Sequence, residues 1–305
     1  MLSIVVLGAA AGGGVPQWNC GCANCVAARN GGPALPATQA SIAVSADGGN
    51  WFLVNASPDL RQQINTTPAL HPAPGNRRNT PIAGVILTNG EVDAIAGLLS
   101  LREGSPFSLY AHGQVLDILA DNSIFNVLDP ALVPRVAVEP GVTFEPLLPD
   151  GAASGLEITP FLTPGKPALF LESEREAADG DTLGLVIRDH RDGQSLVFLA
   201  ACGEVTPEIA ARLAGAPLLF FDGTLWRDDE MIALGLGRKT GRRMGHIAME
   251  AAMPALSGLG IGRKYFLHIN NSNPALRPGS PERQRAEAEG WRIPADGMEI
   301  TLCRQ

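Results

Sequence analysis

Cys20, Cys22 and Cys25 crowd a six-residue span directly after the glycine run Gly12-Gly13-Gly14, and they are three of the five cysteines in the chain. A Cys-x-Cys-x-x-Cys run on a loop supplies three thiolates and needs a fourth donor, so a structural Zn2+ is the expectation. Cys202, Cys303, His246 and His268 are the sequence-distant candidates for that fourth position. The competing reading is a set of unliganded or redox-active thiols. Of the five histidines, His71 sits in a proline-rich stretch and His112 and His190 lie near turn glycines, so these three read as solvated or structural. His246 and His268 differ. With Asp93 they would form a two-histidine, one-carboxylate face with open positions, the arrangement of non-haem Fe2+ sites that take O2 as co-substrate. Glu91 and Asp222 are alternative carboxylates. Each ligand has a blander reading: Asp93 as an acid favoured at a helix N-terminus, His268 as the fourth zinc ligand, and His246 as a helix-start residue bonded to backbone or to a substrate carboxylate.

Arg238, Lys239, Arg242 and Arg243 precede His246 closely. They read either as a site for carboxylates, which guanidinium groups grip in bidentate fashion, or as a solvated loop. Asn270, Asn271 and Asn273 follow His268 and are expected to hold ligands in orientation or to form a turn before Pro274. The glycine run fits neither a GxGxxG nor a Walker pattern and reads as a tight turn near the site.

Those residues need elements to position them. Leu2–Leu7, Ala40–Ser45, Trp51–Asn55, Ile82–Thr88, Leu183–Arg188, Ser195–Ala200, Pro217–Phe221, Lys264–Ile269 and Met298–Leu302 read as strands, several apolar on both faces. Asp-Gly turns predict hairpins between the second and third runs and between the fifth and sixth. Helices are predicted from Ser57 through Ile64 and over Val92–Arg102, Val115–Phe125, Pro207–Leu213, His246–Met253 and Ser280–Glu289, with Ser57 and Ser280 as N-caps followed by proline. Pro160–Asp181 reads as a loop or lid. Paired strands alternating with helices imply an α+β fold, a four-layer αββα sandwich, in a single domain over residues 1–305; a doubly wound sheet is the alternative.

A hydrophobic share of 45% is enough for a large core, and an aromatic share of 5% makes that core chiefly aliphatic. The net charge of -8 argues against nucleic acid or an anionic membrane as a general partner. The first apolar run is a strand's length, too short for a signal h-region or a membrane span, so the expected location is cytoplasmic.

The segment from Ile86 to Leu98 leaves a strand, enters a helix, and resembles the metallo-β-lactamase motif Thr-His-x-His-x-Asp-His-x-x-Gly-Leu. In that frame Asn89 and Glu91 replace the first two histidines, Asp93 is kept, and Ala94 replaces the third. An asparagine is a weak zinc ligand and an alanine none, so an ordinary di-zinc hydrolase is excluded. Within that superfamily the chain resembles, nearly end to end, a family of pyrroloquinoline quinone (PQQ) biosynthesis. The resemblance rests on Leu7-Gly8 through Gly14, Pro16 to Cys20 with the other two cysteines, Asn55 to Asp59, Gly97 to Glu103, Asp222 to Trp226, and His268 to Pro274. It implies a metallo-β-lactamase-like fold and iron- and oxygen-dependent hydroxylation of the tyrosine-derived ring of a peptide-derived precursor. A carrier role that helps PQQ or its precursor reach the periplasm is the alternative it implies. Many members of that family show Asp-His where this chain has Asp93-Ala94. The expected partners are a small-molecule or dipeptide precursor, whose carboxylates Arg238, Lys239, Arg242 and Arg243 would hold, other proteins of the same pathway, and a second copy of the chain.

Overall fold

Strands that are apolar on both faces are stable only between other layers. The structure, a computed structural model, describes residues 1–32, 36–75 and 77–303. Its strands in chain order are β1 (Leu2–Gly8), β2 (Ser41–Ser45), β3 (Trp51–Val54), β4 (Ile82–Ile86), β5 (Ser108–Ala111), β6 (Arg135–Ala137) and β7 (Leu156–Leu162). They continue with β8 (Leu183–Asp189), β9 (Ser195–Leu199), β10 (Leu218–Asp222), β11 (Arg263–Leu267), β12 (Trp291–Arg292) and β13 (Glu299–Leu302). One sheet has the order β13-β1-β2-β3-β4-β5-β6 and the other β12-β11-β10-β9-β8-β7.

Three apolar clusters account for the four layers. The first lies between the sheets, where Ile4, Val44 and Phe52 of one sheet meet Ile158, Leu185 and Phe220 of the other. The second packs the outer face of β9, β10 and β11 under helices Pro207–Leu213, Met249–Ala255 and Pro281–Ala288 through Phe221, Phe266, Leu213, Met253 and Ala286. The third packs Leu53 and Val85 under helices Leu60–Thr66 and Gly113–Asp121 through Leu60 and Leu119. The αββα sandwich expected from the sequence is the observed architecture.

All nine expected strands form, and both expected hairpins pair antiparallel, β2 with β3 and β8 with β9. The sequence reading missed β5, β6, β7 and β12, and it placed Pro160 in a loop. Pro160 instead pairs with Leu185 in β7, an edge strand whose free side tolerates a residue without an N–H. Two helix starts also move. Ser57 does not cap: its Oγ bonds Gln63 Oε1, and the helix begins at Leu60. The helix expected from His246 begins at Met249, because Gly245 takes a left-handed conformation (φ 85°) and the residue before the helix, Ala248, is extended. Ser280 caps as expected, accepting from the Arg283 N–H.

The parallel strands decide where chemistry gathers. β3, β4 and β5 run parallel in one sheet, and β9, β10 and β11 in the other, and the loops after their carboxyl ends meet. Two bridges tie the sheets there, Ala10 to Ile269 and Asn89 to Thr182. No helix among the described residues is long and apolar enough to cross a membrane.

Candidate metal centres

Asp222 ends β10 and pairs in register with Leu267, so His268 leaves β11 beside it. His268 adopts φ 57°, a left-handed conformation costly for a side chain with a Cβ, of order 1 kcal/mol or more. That turn aims its ring back into the cleft. His246, from the loop before Met249–Ala255, stacks on it with ring centroids 5.1 Å apart. Asp93 comes from the first turn of the short helix Val92–Ile95, which follows β4 of the other sheet, and places Oδ2 2.9 Å from His268 Nε2. Gly12 leaves room for it: a Cβ there would lie 3.2 Å from Asp93 Oδ2. Asp222, His246 and His268 each offer a ligand atom within 4.8 Å of the others.

Protons can be assigned by counting donors. Asp222 is fully buried and only accepts: Oδ1 takes the Thr224 N–H (3.0 Å) and Oγ–H (2.7 Å), and Oδ2 takes the Cys202 N–H (2.9 Å) and His246 Nδ1 (2.7 Å). Because Thr224 spends its one hydroxyl proton on Asp222, it must accept from His268 Nδ1 (2.9 Å), while the single Nδ1 proton of His246 goes to Asp222 Oδ2, with Thr224 Oγ1 3.1 Å away. Both imidazoles therefore carry hydrogen on Nδ1 and present Nε2. Orientation of a ligating histidine through its far nitrogen is how metal sites fix the tautomer. Burial disfavours the charged form of His268, but the hydrogen bond and charge of Asp93 outweigh it and raise its pKa. Burial likewise opposes the Asp93 carboxylate, and the His268 hydrogen bond and charge overcome it and hold Asp93 below its ordinary value. Each partner thus favours the charged form of the other across the 2.9 Å contact.

The cysteine group lies apart from these histidines. Cys22 and Cys25 are not on a loop throughout: Cys22 precedes, and Cys25 lies within, a short helix, Ala23–Arg29. The sulfurs of Cys20, Cys22 and Cys25 lie within 4.8 Å of one another. Burial pushes the Cys22 thiol up to about 11, and hydrogen bonds from the neighbouring groups outweigh burial and lower Cys20. None of the four expected fourth ligands joins them. Cys202 is buried behind Asp222 with its thiol donating to Glu204 O at 3.1 Å, Cys303 is exposed near the end of the chain, and both histidines belong to the other group. Asn271 faces the thiols instead, its carboxamide 3.2 Å from Cys25 Sγ and 3.6 Å from Cys22 Sγ. Asn24 donates to the Asn271 and Asn273 carbonyls, so the cysteine helix is fastened to the loop that follows His268.

The histidines, Asp93 and the glycine turn line a cleft of about 590 Å³. The four expected cations divide. Arg238 and Lys239 line the cleft, whereas Arg242 and Arg243 are exposed outside it. Glu91 lines the cleft but is engaged by Lys166 Nζ (2.5 Å) and by the Leu169 N–H (3.0 Å), away from the histidines. Asn89 accepts from the Glu91 N–H, and Ala94 is buried, its carbonyl taking the Ala56 N–H. Asn270 donates to Ser272 Oγ at 2.5 Å, and Asn273 to Gly223 O at 3.0 Å, which fixes the loop after His268 against the turn after Asp222. Thr224, Lys166 and Glu172 escaped the sequence reading. Thr224 had a signal, a hydroxyl two residues after a strand-end acid; the two others had none.

Two sheets between helices, with ligand-bearing loops at the carboxyl ends of parallel strands, define a metallo-β-lactamase-like protein. The beta-lactamase superfamily domain matches residues 50–269. The chain is 64% identical to coenzyme PQQ synthesis protein B of Rhodopseudomonas palustris, over 99% of this chain and 100% of that one. It is 62% identical to the protein of that name from Bradyrhizobium diazoefficiens, with the same coverage. A crystal structure described as Zn2+-bound PqqB from Methylobacterium extorquens superposes with a TM-score of 0.92 at 46% identity, covering 98% of this chain and 100% of that one. The chain belongs to the coenzyme PQQ synthesis protein B family.

Proposed function

We propose that this protein acts in PQQ biosynthesis as a non-haem iron hydroxylase of the tyrosine-derived ring in a peptide-derived precursor. The observation that carries this reading is His268, with Nε2 2.9 Å from Asp93 Oδ2 and its ring stacked on His246, in a cleft whose wall carries cations. Nitrogen and oxygen donors without a thiolate suit Fe2+, and the proton shared by Asp93 and His268 marks the position a cation would take. Asp222 has every lone pair occupied by donors, so its part is to orient His246 and Thr224. Bound iron would supply oxygen activation. The chain's own residues would present the ligands, would release the proton between His268 Nε2 and Asp93 when the ion binds, and would bind substrate carboxylates through Lys239 and Arg238. The chemistry closes without an outside reductant: a catechol ring and O2 give a hydroxyquinone and water, one oxygen atom entering the ring. The cysteine group would hold a structural zinc with Asn271 as its fourth neighbour, consistent with the zinc named for the Methylobacterium extorquens relative.

The test is aerobic and anaerobic incubation of Fe2+-loaded protein with a dihydroxyphenylalanine-containing precursor, followed by oxygen uptake and product mass. Wild type is expected to consume oxygen and add one oxygen atom, and Asp93→Asn and His268→Ala to lose turnover while keeping the zinc of the cysteine group. Tight PQQ binding with no oxygen consumed would replace this reading with the carrier one.

A further inference from the structure

The segment between β7 and β8 crosses the mouth of the cleft, and four charges pin it there. Lys166 Nζ lies 2.5 Å from Glu91 Oε1 and 2.8 Å from Glu172 Oε1, and Lys239 bonds Glu172 Oε2. Glu172 therefore sits between two ammonium groups from different elements, one on the strap and one on the loop before His246. Its two oxygens are divided between them, Oε1 on Lys166 and Oε2 on Lys239. The strap around it presents apolar side chains outward, with Leu169 64% and Phe170 40% exposed. Gly165 has no room for a side chain, since a Cβ would meet Thr182 Oγ1 at 2.3 Å, and Gly180 takes φ 93°, so the strap springs from two fixed turns.

We propose that Lys166 and Lys239 form a carboxylate-binding subsite of the cleft and that Glu172 occupies it as a built-in surrogate until a polycarboxylate ligand displaces it. Exchange of one carboxylate for another keeps both cations paired throughout, which avoids the cost of a desolvated, unpartnered ammonium. A neutral or cationic molecule would have to break the Glu172 contacts and return nothing, so the device selects by charge. Glu91, Lys166, Glu172 and Lys239 together carry no net charge, and once Glu172 swings out two cations face one anion. Arg238, exposed at the rim, adds a further cation for a ligand bearing several carboxylates. This assignment rests on the reading above, in which the cleft receives an aromatic acid of the PQQ class.

The experiment is calorimetric titration of wild type, Glu172→Gln and Lys239→Met with benzene-1,3,5-tricarboxylate and, separately, with PQQ. Glu172→Gln removes the competing charge and is expected to tighten the tricarboxylate about fivefold, the worth of one partly exposed ion pair of about 1 kcal/mol. Lys239→Met is expected to weaken it by a similar factor. A purely structural glutamate would give the opposite sign, since its loss would loosen the site. Unchanged or weaker binding by Glu172→Gln, or no binding by any of the three proteins, overturns the proposal. Tighter tricarboxylate binding with no affinity for PQQ would keep the subsite and remove the PQQ reading.

Discussion

Replacing Thr224 by valine keeps the branched shape and deletes one hydroxyl that holds three groups together. Its proton goes to Asp222 Oδ1 at 2.7 Å, a hydrogen bond to a charged acceptor worth about 1.5–3 kcal/mol. His268 Nδ1 then loses its acceptor, and a largely enclosed N–H left unpaired costs about 1–3 kcal/mol more. His246 is spared, because its Nδ1 keeps Asp222 at 2.7 Å. The losses share one network and do not simply add, so Thr224→Val is expected to destabilise the metal-free protein by about 2–4 kcal/mol. With its far nitrogen untethered, His268 no longer holds Nε2 in place, and metal affinity should fall about tenfold to a hundredfold. Urea unfolding followed by tryptophan fluorescence gives the first quantity, and competition with a chelator for the ion gives the second. Thr224→Ser should restore both. A valine variant within about 0.5 kcal/mol and about twofold of wild type would show that the hydroxyl bridge does not organise the site.

Two further outcomes follow from other parts of the structure. In the metal-free protein, His268 with its raised pKa contributes stability that is complete below its unfolded value of 6.5 and is lost as pH rises through the folded one; Asp93, with its lowered pKa, contributes above 3.8 and loses this as pH falls through its own folded value. The melting difference between wild type and Asp93→Asn should therefore be largest between these two values and shrink on either side, and a pH-independent difference would contradict the ion pair. Gly97→Ala would place a Cβ 2.0 Å from the Ser57 carbonyl oxygen and 2.8 Å from the Ala56 backbone, contacts that no side-chain rotation relieves, so a loss of about 3 kcal/mol or more is expected in denaturant unfolding, and near-neutral behaviour would refute the close approach.

The site was legible in the sequence to the extent that local rules govern it. Asp93, Asp222 and His268 lie at or just past strand ends, where a parallel layered fold delivers functional side chains, so periodicity marked them as candidates and the resemblance to the metallo-β-lactamase motif put them in one set. Periodicity also found the strands that are apolar on both faces. It failed on short or edge strands such as β6, which is only Arg135–Ala137, and β7, whose proline only an edge tolerates. The cysteine spacing announced a metal-binding group but pointed to the wrong fourth neighbour, because every histidine or cysteine at long range was equally eligible.

By itself the sequence determined the layers, the hairpins and the residue types able to hold a metal, because those depend on backbone turns and on which faces must be buried. Only tertiary structure decided which of those residues meet. Register between β10 and β11 brought Asp222 beside His268, the second sheet supplied Asp93, Asn271 rather than a histidine came to face the thiols, and the strap carried Lys166 and Glu172 to the cleft. The physical reason is that ligand geometry and ion pairing act over a few ångströms between segments more than a hundred residues apart, such as Asp93 and His268, and no local pattern encodes such a distance.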